Sequence, residues 1–215
     1  MAKFVSNRDE TIRLFKNPIL EYFSHIHPAT PLFIFLPVVG AASYFGFSRA
    51  GAAPGIIAFL AGIFLWTIFE YVFHRWVFHY HPTSAIGKNI HFLVHGIHHD
   101  YPRDSTRLVM PLLVSIPLAI LFFYLFQLVF GPVYFLNIFS GFLLGYIAYD
   151  SIHYATHHMS FKGKTGKFLK EYHLRHHYND EHTAYGVSNP LWDYIFSTVP
   201  DRLKKTKEEE ELTRS

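Results

Sequence analysis

The chain has 215 residues, enough for one ordinary domain, and half are hydrophobic while only 16% are charged, against about a quarter in soluble domains. It contains no cysteine, which excludes a disulfide scaffold, an iron–sulfur cluster and thiolate-held zinc or haem, so any metal must be held by nitrogen and oxygen. The basic balance, +3 with a pI near 9.0, comes from residues flanking apolar runs rather than from a basic stripe with stacking aromatics, so nucleic acid is not an expected partner.

The first segment, Met1 to Lys16, carries a charge every few residues and lacks an apolar h-region, so it is not a cleavable signal peptide. Residues 1–30 read as a cytoplasmic or interfacial lead. Three uncharged stretches follow: Pro28 to Ser48, Ala50 to Phe69, and the 42 residues from Leu108 to Tyr149. A spanning helix needs about 20 apolar residues, and Gly131-Pro132 breaks the longest stretch in its middle. The pattern predicts four spans, near 31–48, 54–74, 109–130 and 132–152. A soluble all-α protein with unusually apolar core helices is the alternative, and the 42-residue run argues against it.

Charge placement agrees with four spans. Of the 19 Lys and Arg residues, 18 fall before the first span, between Arg75 and Arg107, or after Lys162, and only Arg49 lies in another loop. The positive-inside rule makes that side cytoplasmic. The predicted fold is therefore all-α and integral to the membrane, with about four transmembrane helices under a cytoplasmic, histidine-rich dimetal cap. The membrane domain is expected over 31–200, with both termini cytoplasmic. The charged tail at 201–215, DRLKKTKEEEELTRS, is expected to be disordered.

Sixteen histidines carry the chemistry. His95, His98 and His99 form an HxxHH pattern, repeated by His173, His176 and His177. On a helix such positions share one face, so each motif is expected to point three imidazoles at one spot. His153 and His157 are four apart, again on one face. His74 and His79 are five apart, about 140° on a straight helix, so they must embrace a site from a helix end or the helix must distort. Imidazole suits iron, zinc, copper and nickel. Ten ligands exceed what one ion uses, so two metals are predicted.

Outside the ten, His91, His158 and His182 are as much surface or supporting residues as ligands, and His25 and His27 have no clustered partner. Glu70, one turn before His74, and Asp150, three residues before His153, are expected to orient ligands by accepting an imidazole N–H. Both sit at membrane depth, where an ionisable group needs a partner. Tyr154, Tyr172, Tyr178, Trp192 and Tyr194 could line the path of a lipid chain, although aromatics at an interface are more often anchors.

The strings HRWVFH (74–79), HFLVHGIHHDYPRDSTRLVMP (91–111), DSIHYATHH (150–158) and YHLRHHYNDEHTAYGVSNPLWDYIF (172–196) resemble the fatty acid hydroxylase superfamily, and most nearly its fatty-acid (sphingolipid) 2-hydroxylases. The likeness runs over roughly residues 10 to 200. It implies a dimetal centre, functionally di-iron, that uses O2 as co-substrate and two electrons to hydroxylate carbon 2 of an acyl chain, often in ceramide. It puts the ligands on His74, His79, His95, His98, His99, His153, His157, His173, His176 and His177. Zinc fits the same imidazoles and could occupy them in isolated protein.

Family members often begin with a cytochrome-b-type haem domain, and only about 30 residues precede the first span here. The resemblance therefore implies an external electron donor, a haem protein or reductase docking on the basic cytoplasmic face. The membrane would be the plasma membrane in a bacterium and the endoplasmic reticulum in a eukaryote. The competing readings are a sterol or carotenoid oxidase or desaturase of the same superfamily, a metal transporter, and a membrane bis-histidine haem protein.

Overall fold

The computed structural model describes residues 5–200, and the charged tail lies outside the described residues. Among the described residues every regular element is helical. A short helix α1 (Pro18–Phe23) precedes α2 (Thr30–Ala50) and α3 (Ala52–Val72), which runs on as a π-helical turn over Phe73–Phe78. Then come α4 (Ala85–His91), a second π-helical turn over Phe92–Gly96, and α5 (Ile97–Asp100). The 47-residue α6 (Leu112–His158), α7 (Lys164–Tyr178) and α8 (Leu191–Ile195) complete the fold.

Three of these helices are long and apolar enough to cross a membrane: α2, α3 with its π-helical extension, and α6. The last is bent back on itself. Gly131 has φ 70° and ψ 174°, a backbone essentially reserved for glycine, and Pro132 follows it. Phe123 packs on Phe135 and Phe139, and Phe126 on Phe142, ring pairs nearly symmetric about Gly131, so the two arms run antiparallel. The break expected at Gly131-Pro132 is present. The first arm starts at Leu112 rather than 109, and the second continues past 152 to His158, so one rigid rod carries both the core and two site histidines.

That second arm is the axis of the molecule. It is buried almost continuously from Phe135 to Ile147, and it packs against α2, α3 and the first arm. A helix apolar on all sides can be satisfied only in such a position. Small residues let α3 approach it: a Cβ on Gly62 would lie 2.1 Å from the Ile138 carbonyl oxygen, and one on Gly141 would lie 2.0 Å from that of Phe59. Close backbone approach over glycine is the usual device where no hydrophobic force pulls helices together. Trp66 fills the crossing above, its ring against Phe142, Tyr146 and Tyr149.

The N-terminal segment straps the loop between α5 and α6. The amides of Val5 and Ser6 donate to the Asp100 carbonyl, and Ser105 N–H donates to Asp9 Oδ1. Arg107, buried, donates to the Ile12 carbonyl and to Glu21 Oε1 at 2.7 Å, while His25 pairs with Thr106. His25 is thus a structural residue of this strap.

Gly141→Ala tests the close crossing. The added methyl must push α3 and α6 apart, and overpacking of this kind costs about 1–3 kcal/mol. The thermal unfolding midpoint in detergent should fall, whereas Gly40→Ala, where a Cβ meets nothing within 4 Å, should leave it in place.

Candidate metal centre

The ten histidines named from the sequence converge at one end of the helical bundle, all buried, in two groups of five. His74, His79, His95, His99 and His176 form one group, and His98, His153, His157, His173 and His177 form the other. The groups lie side by side, with the rings of His99 and His177 stacked at 4.4 Å.

The helices sort the imidazoles by a simple rule. Pairs four apart share a group: His95 with His99, His153 with His157, His173 with His177. The third member of each HxxHH motif, His98 or His176, serves the other group. At 100° per residue, neighbours such as His98 and His99 diverge too far to share a centre. The sequence expectation that each motif aims three imidazoles at one spot is therefore corrected: each motif divides two and one, and so bridges the groups.

The five-residue spacing of His74 and His79 is resolved by distortion. The chain there is π-helical, and the His79 N–H donates to the His74 carbonyl across five residues. The wider turn brings both side chains to one face, their Nε2 atoms 3.3 Å apart. A second π-helical turn delivers His95 just before α5 begins.

The donor set suits metal ions. Nε2 atoms stand 3.2 Å apart for His79 and His95, 2.9 Å for His95 and His99, and 3.0 Å for His79 and His176. In the other group the separations are 2.9 Å for His98 and His153, 2.9 Å for His157 and His173, and 3.1 Å for His173 and His177. Nitrogens about 2.1 Å from one ion and at right angles to each other stand about 3.0 Å apart. Hydrogen bonding alone does not account for the cluster. His79 Nε2 is within 3.3 Å of three other Nε2 atoms, and a ring nitrogen has either one proton or one lone pair to offer. A cation at the centre satisfies all the lone pairs at once.

Burial, reinforced by neighbouring imidazoles, holds His95, His98, His173, His176 and His177 well below the ordinary histidine range, and puts His99 at about 3. The rings are neutral and ready to ligate. Two tautomers are fixed from outside: His74 Nδ1 donates to the Tyr185 carbonyl at 2.5 Å, and His176 Nδ1 donates to the Thr183 carbonyl at 2.7 Å. Both leave Nε2 with its lone pair directed inward.

The carboxylates work at one remove. Glu70 is buried, and it accepts from the Ser188 amide at 2.7 Å and from the Ser188 hydroxyl rather than from His74. It pins the segment that supplies the Tyr185 carbonyl. Asp150, also buried, faces the Tyr146 hydroxyl and the Met110 amide.

Other histidines stand outside both groups: His158 stacks on Tyr154, and His81 lies between the half-buried His91 and the exposed His182. Tyr172 is a core residue, 1% exposed. Sequence reasoning passed over Tyr185, whose ring packs on His74, His79 and His176 and whose phenol is pushed up by burial to about 12. It also passed over Asp193, which accepts from the amides of Tyr185 and Gly186. Neither lies in a histidine motif, and only the turn-rich string GVSNP marked their loop as structured.

An apolar cavity lies between α3 and both arms of α6, lined by Trp66, Phe69, Met110, Phe122, Phe142 and Tyr146 among others. Tyr146 is two helical turns from His153, and Tyr149 packs on that imidazole at 5.6 Å.

Residues 59–198 match the family model described as Fatty acid hydroxylase. The chain is 36% identical to a dihydroceramide fatty acyl 2-hydroxylase of Arabidopsis thaliana, over 92% of this chain and 84% of the relative. It is 37% identical to a ceramide very long chain fatty acid hydroxylase of Schizosaccharomyces pombe over 77% of this chain, and 39% identical to a human fatty acid 2-hydroxylase over 68%. It spans 48% and 40% of those two relatives. A solved structure of full-length scs7p, in which only the hydroxylase domain is visible, superposes with a TM-score of 0.81 at 34% identity, covering 87% of this chain and 71% of that one.

Glu70→Gln replaces one acceptor oxygen by a donor facing Ser188. Loosening the Tyr185 carbonyl should weaken metal binding by the His74 group roughly tenfold and spare the other group. Metal analysis after mild chelation reads this directly, and unchanged retention by both groups would remove Glu70 from the site.

Proposed function

The chain belongs to the fatty acid hydroxylase family, and from that premise we propose that it hydroxylates carbon 2 of a fatty acid or of the N-acyl chain of a sphingolipid. One observation carries the reading: two five-imidazole groups, side by side and buried, sit where two apolar helices of membrane length end, in a chain of this metal-dependent family. We assign all ten histidines as ligands, five to each of two metal ions, functionally iron. When bound, the pair supplies activation of O2, whose one oxygen enters the C–H bond while the other leaves as water with two electrons and two protons from outside.

The protein's own residues position and enclose. The carbonyls of Tyr185 and Thr183 hold the tautomers of His74 and His176. The packed rings of Tyr149 and Tyr185 keep bulk water from the groups. The cavity between α3 and α6 has apolar, aromatic walls but a volume of only about 30 Å³, so a lipid chain approaching from the bilayer must first part its lining side chains. With Gly131 as a hairpin we read α2, α3 and the two arms of α6 as four spans, and the distribution of basic residues supports a cytoplasmic face for the histidine groups. Electrons then come from a haem protein or reductase that meets the basic side of α7, where Lys167, Lys170 and Arg175 border an open surface hollow.

Sterol or carotenoid oxidation is not favoured, because the relatives above carry names of fatty acid or fatty acyl hydroxylases, two of them 2-hydroxylases. Transport is not favoured either, since both groups lie at one end of the spans rather than at the midplane where transporters bind.

Lipid mass spectrometry on cells expressing the chain should show acyl species heavier by one oxygen, with fragmentation placing the hydroxyl at carbon 2. A His95→Ala, His98→Ala double variant should lack them. A folded, metal-loaded protein with a competent reductase and no such species would sink the proposal. Metal content offers a second check: two ions per chain in the wild type, with His79→Ala and His173→Ala each reducing it toward one by emptying different groups.

A further inference from the structure

Residues 184–198, between α7 and the C-terminal tail, form a closed loop with an inverted polarity. Its ends are tied where the Ala184 amide donates to the Thr198 carbonyl at 2.8 Å, and left-handed backbones at Ala184 and Ser197 turn the chain at either end. Its one charged side chain, Asp193, is fully buried and accepts from Tyr185 N–H, Gly186 N–H and the Thr198 hydroxyl at 2.9, 2.7 and 2.7 Å. Ser188 turns inward to Glu70. The backbone around α8 is bonded within the loop: Tyr194 N–H to the Pro190 carbonyl, Phe196 N–H to Trp192, Thr198 N–H to Asp193. What faces outward is mainly apolar: Leu191, Ile195 and Phe196 are exposed by 45, 56 and 46%, beside the exposed Tyr194 and Ser197.

The position of this loop says what covers it. Trp192 packs on Phe64 at 5.7 Å, and its indole N–H donates to Thr67 Oγ1 at 3.0 Å. Both partners belong to α3, and Phe64 is eight residues before the helix ends at Val72. At about 1.5 Å per residue that is about 12 Å inside a helix about 30 Å long, which matches the hydrocarbon thickness of a bilayer. Phe64 also ends the exposed stripe Ile57, Leu60, Phe64 on α3, at helical spacing, and such a stripe on a spanning helix faces lipid. The outward residues of α8 extend that stripe.

We propose that the 184–198 loop is inserted in the membrane, with α8 at its tip held among the acyl chains of the leaflet next to the histidine groups. Non-helical backbone survives in hydrocarbon only when its polar groups are satisfied within the protein, and here the amides of Ala184, Tyr185, Gly186, Ser188, Leu191, Tyr194, Phe196 and Thr198 all donate within the protein. The inference rests on the spans alone and not on the reaction. Through the Tyr185 carbonyl the same loop holds His74, so lipid contact and metal geometry share one segment.

Because the chain has no cysteine, single-site labelling tests this cleanly. Leu191→Cys and Ile195→Cys, each carrying an environment-sensitive fluorophore, are reconstituted into phosphatidylcholine vesicles, with Ile57→Cys as lipid reference and Lys167→Cys as aqueous reference. Bromines on the acyl chains should quench the α8 labels as strongly as the Ile57 label, and iodide should quench them several-fold less than the Lys167 label. Iodide quenching equal to that at Lys167 would overturn insertion. Protection from both quenchers would also overturn it, in favour of a face covered by protein. The unmodified chain provides an independent arm: phosphatidylcholine with a diazirine in its acyl chain should label the 190–196 peptide, and labelling confined to α2, α3 and α6 would refute the proposal.

Discussion

Ten buried imidazoles gathered in two tight groups are the constraint on which the rest of this structure turns. Burial strips the ring nitrogens of water and crowds them together, so the arrangement is costly unless cations fill the two centres. The fold meets this cost with rigid parts. His153 and His157 ride on the same rod that forms the hydrophobic core, so moving them would disturb packing from Phe135 onward. His173, His176 and His177 project from a single helix against it. The shared HxxHH motifs then tie the groups together, since neither group can shift without carrying a histidine of the other.

Irregular backbone appears where regular helix would misdirect a ligand. A straight α-helix would leave His74 and His79 on diverging faces, and the π-helical turn removes that divergence. The turn before α5 does the same for His95. Neither distortion lies in the middle of the membrane, where unpaired backbone would be most expensive. Both lie at the end of the bundle where the histidines gather.

Around the histidines, support comes mainly from backbone carbonyls on a loop rather than from carboxylates. Glu70 and Asp193 brace that loop from opposite sides, Glu70 through Ser188 and Asp193 through the amides of Tyr185 and Gly186. Each buried carboxylate is satisfied by neutral donors, which suits a region too apolar to hold a full ion pair cheaply. The arrangement joins the end of α3, the cap and α8 into one unit, with Tyr185 at its centre.

The sequence by itself determined the class, the break at Gly131 and the ten histidines. Those signals are local: uncharged length, a Gly-Pro step and side chains repeated at helical spacing survive without knowledge of what packs on what. The tertiary structure alone decided how the histidines divide, because the difference between His98 and His99 is a rotation of about 100° that matters only once two centres stand beside the helix. It alone resolved the HxxxxH spacing into a π-helical turn, a choice between distortion and an end-on approach that spacing leaves open. And it alone brought Tyr185, Ser188 and Asp193 to Glu70 and His74. Contacts made across more than a hundred residues depend on where the whole chain folds, and a loop that works through its backbone carbonyls writes almost nothing into its side chains.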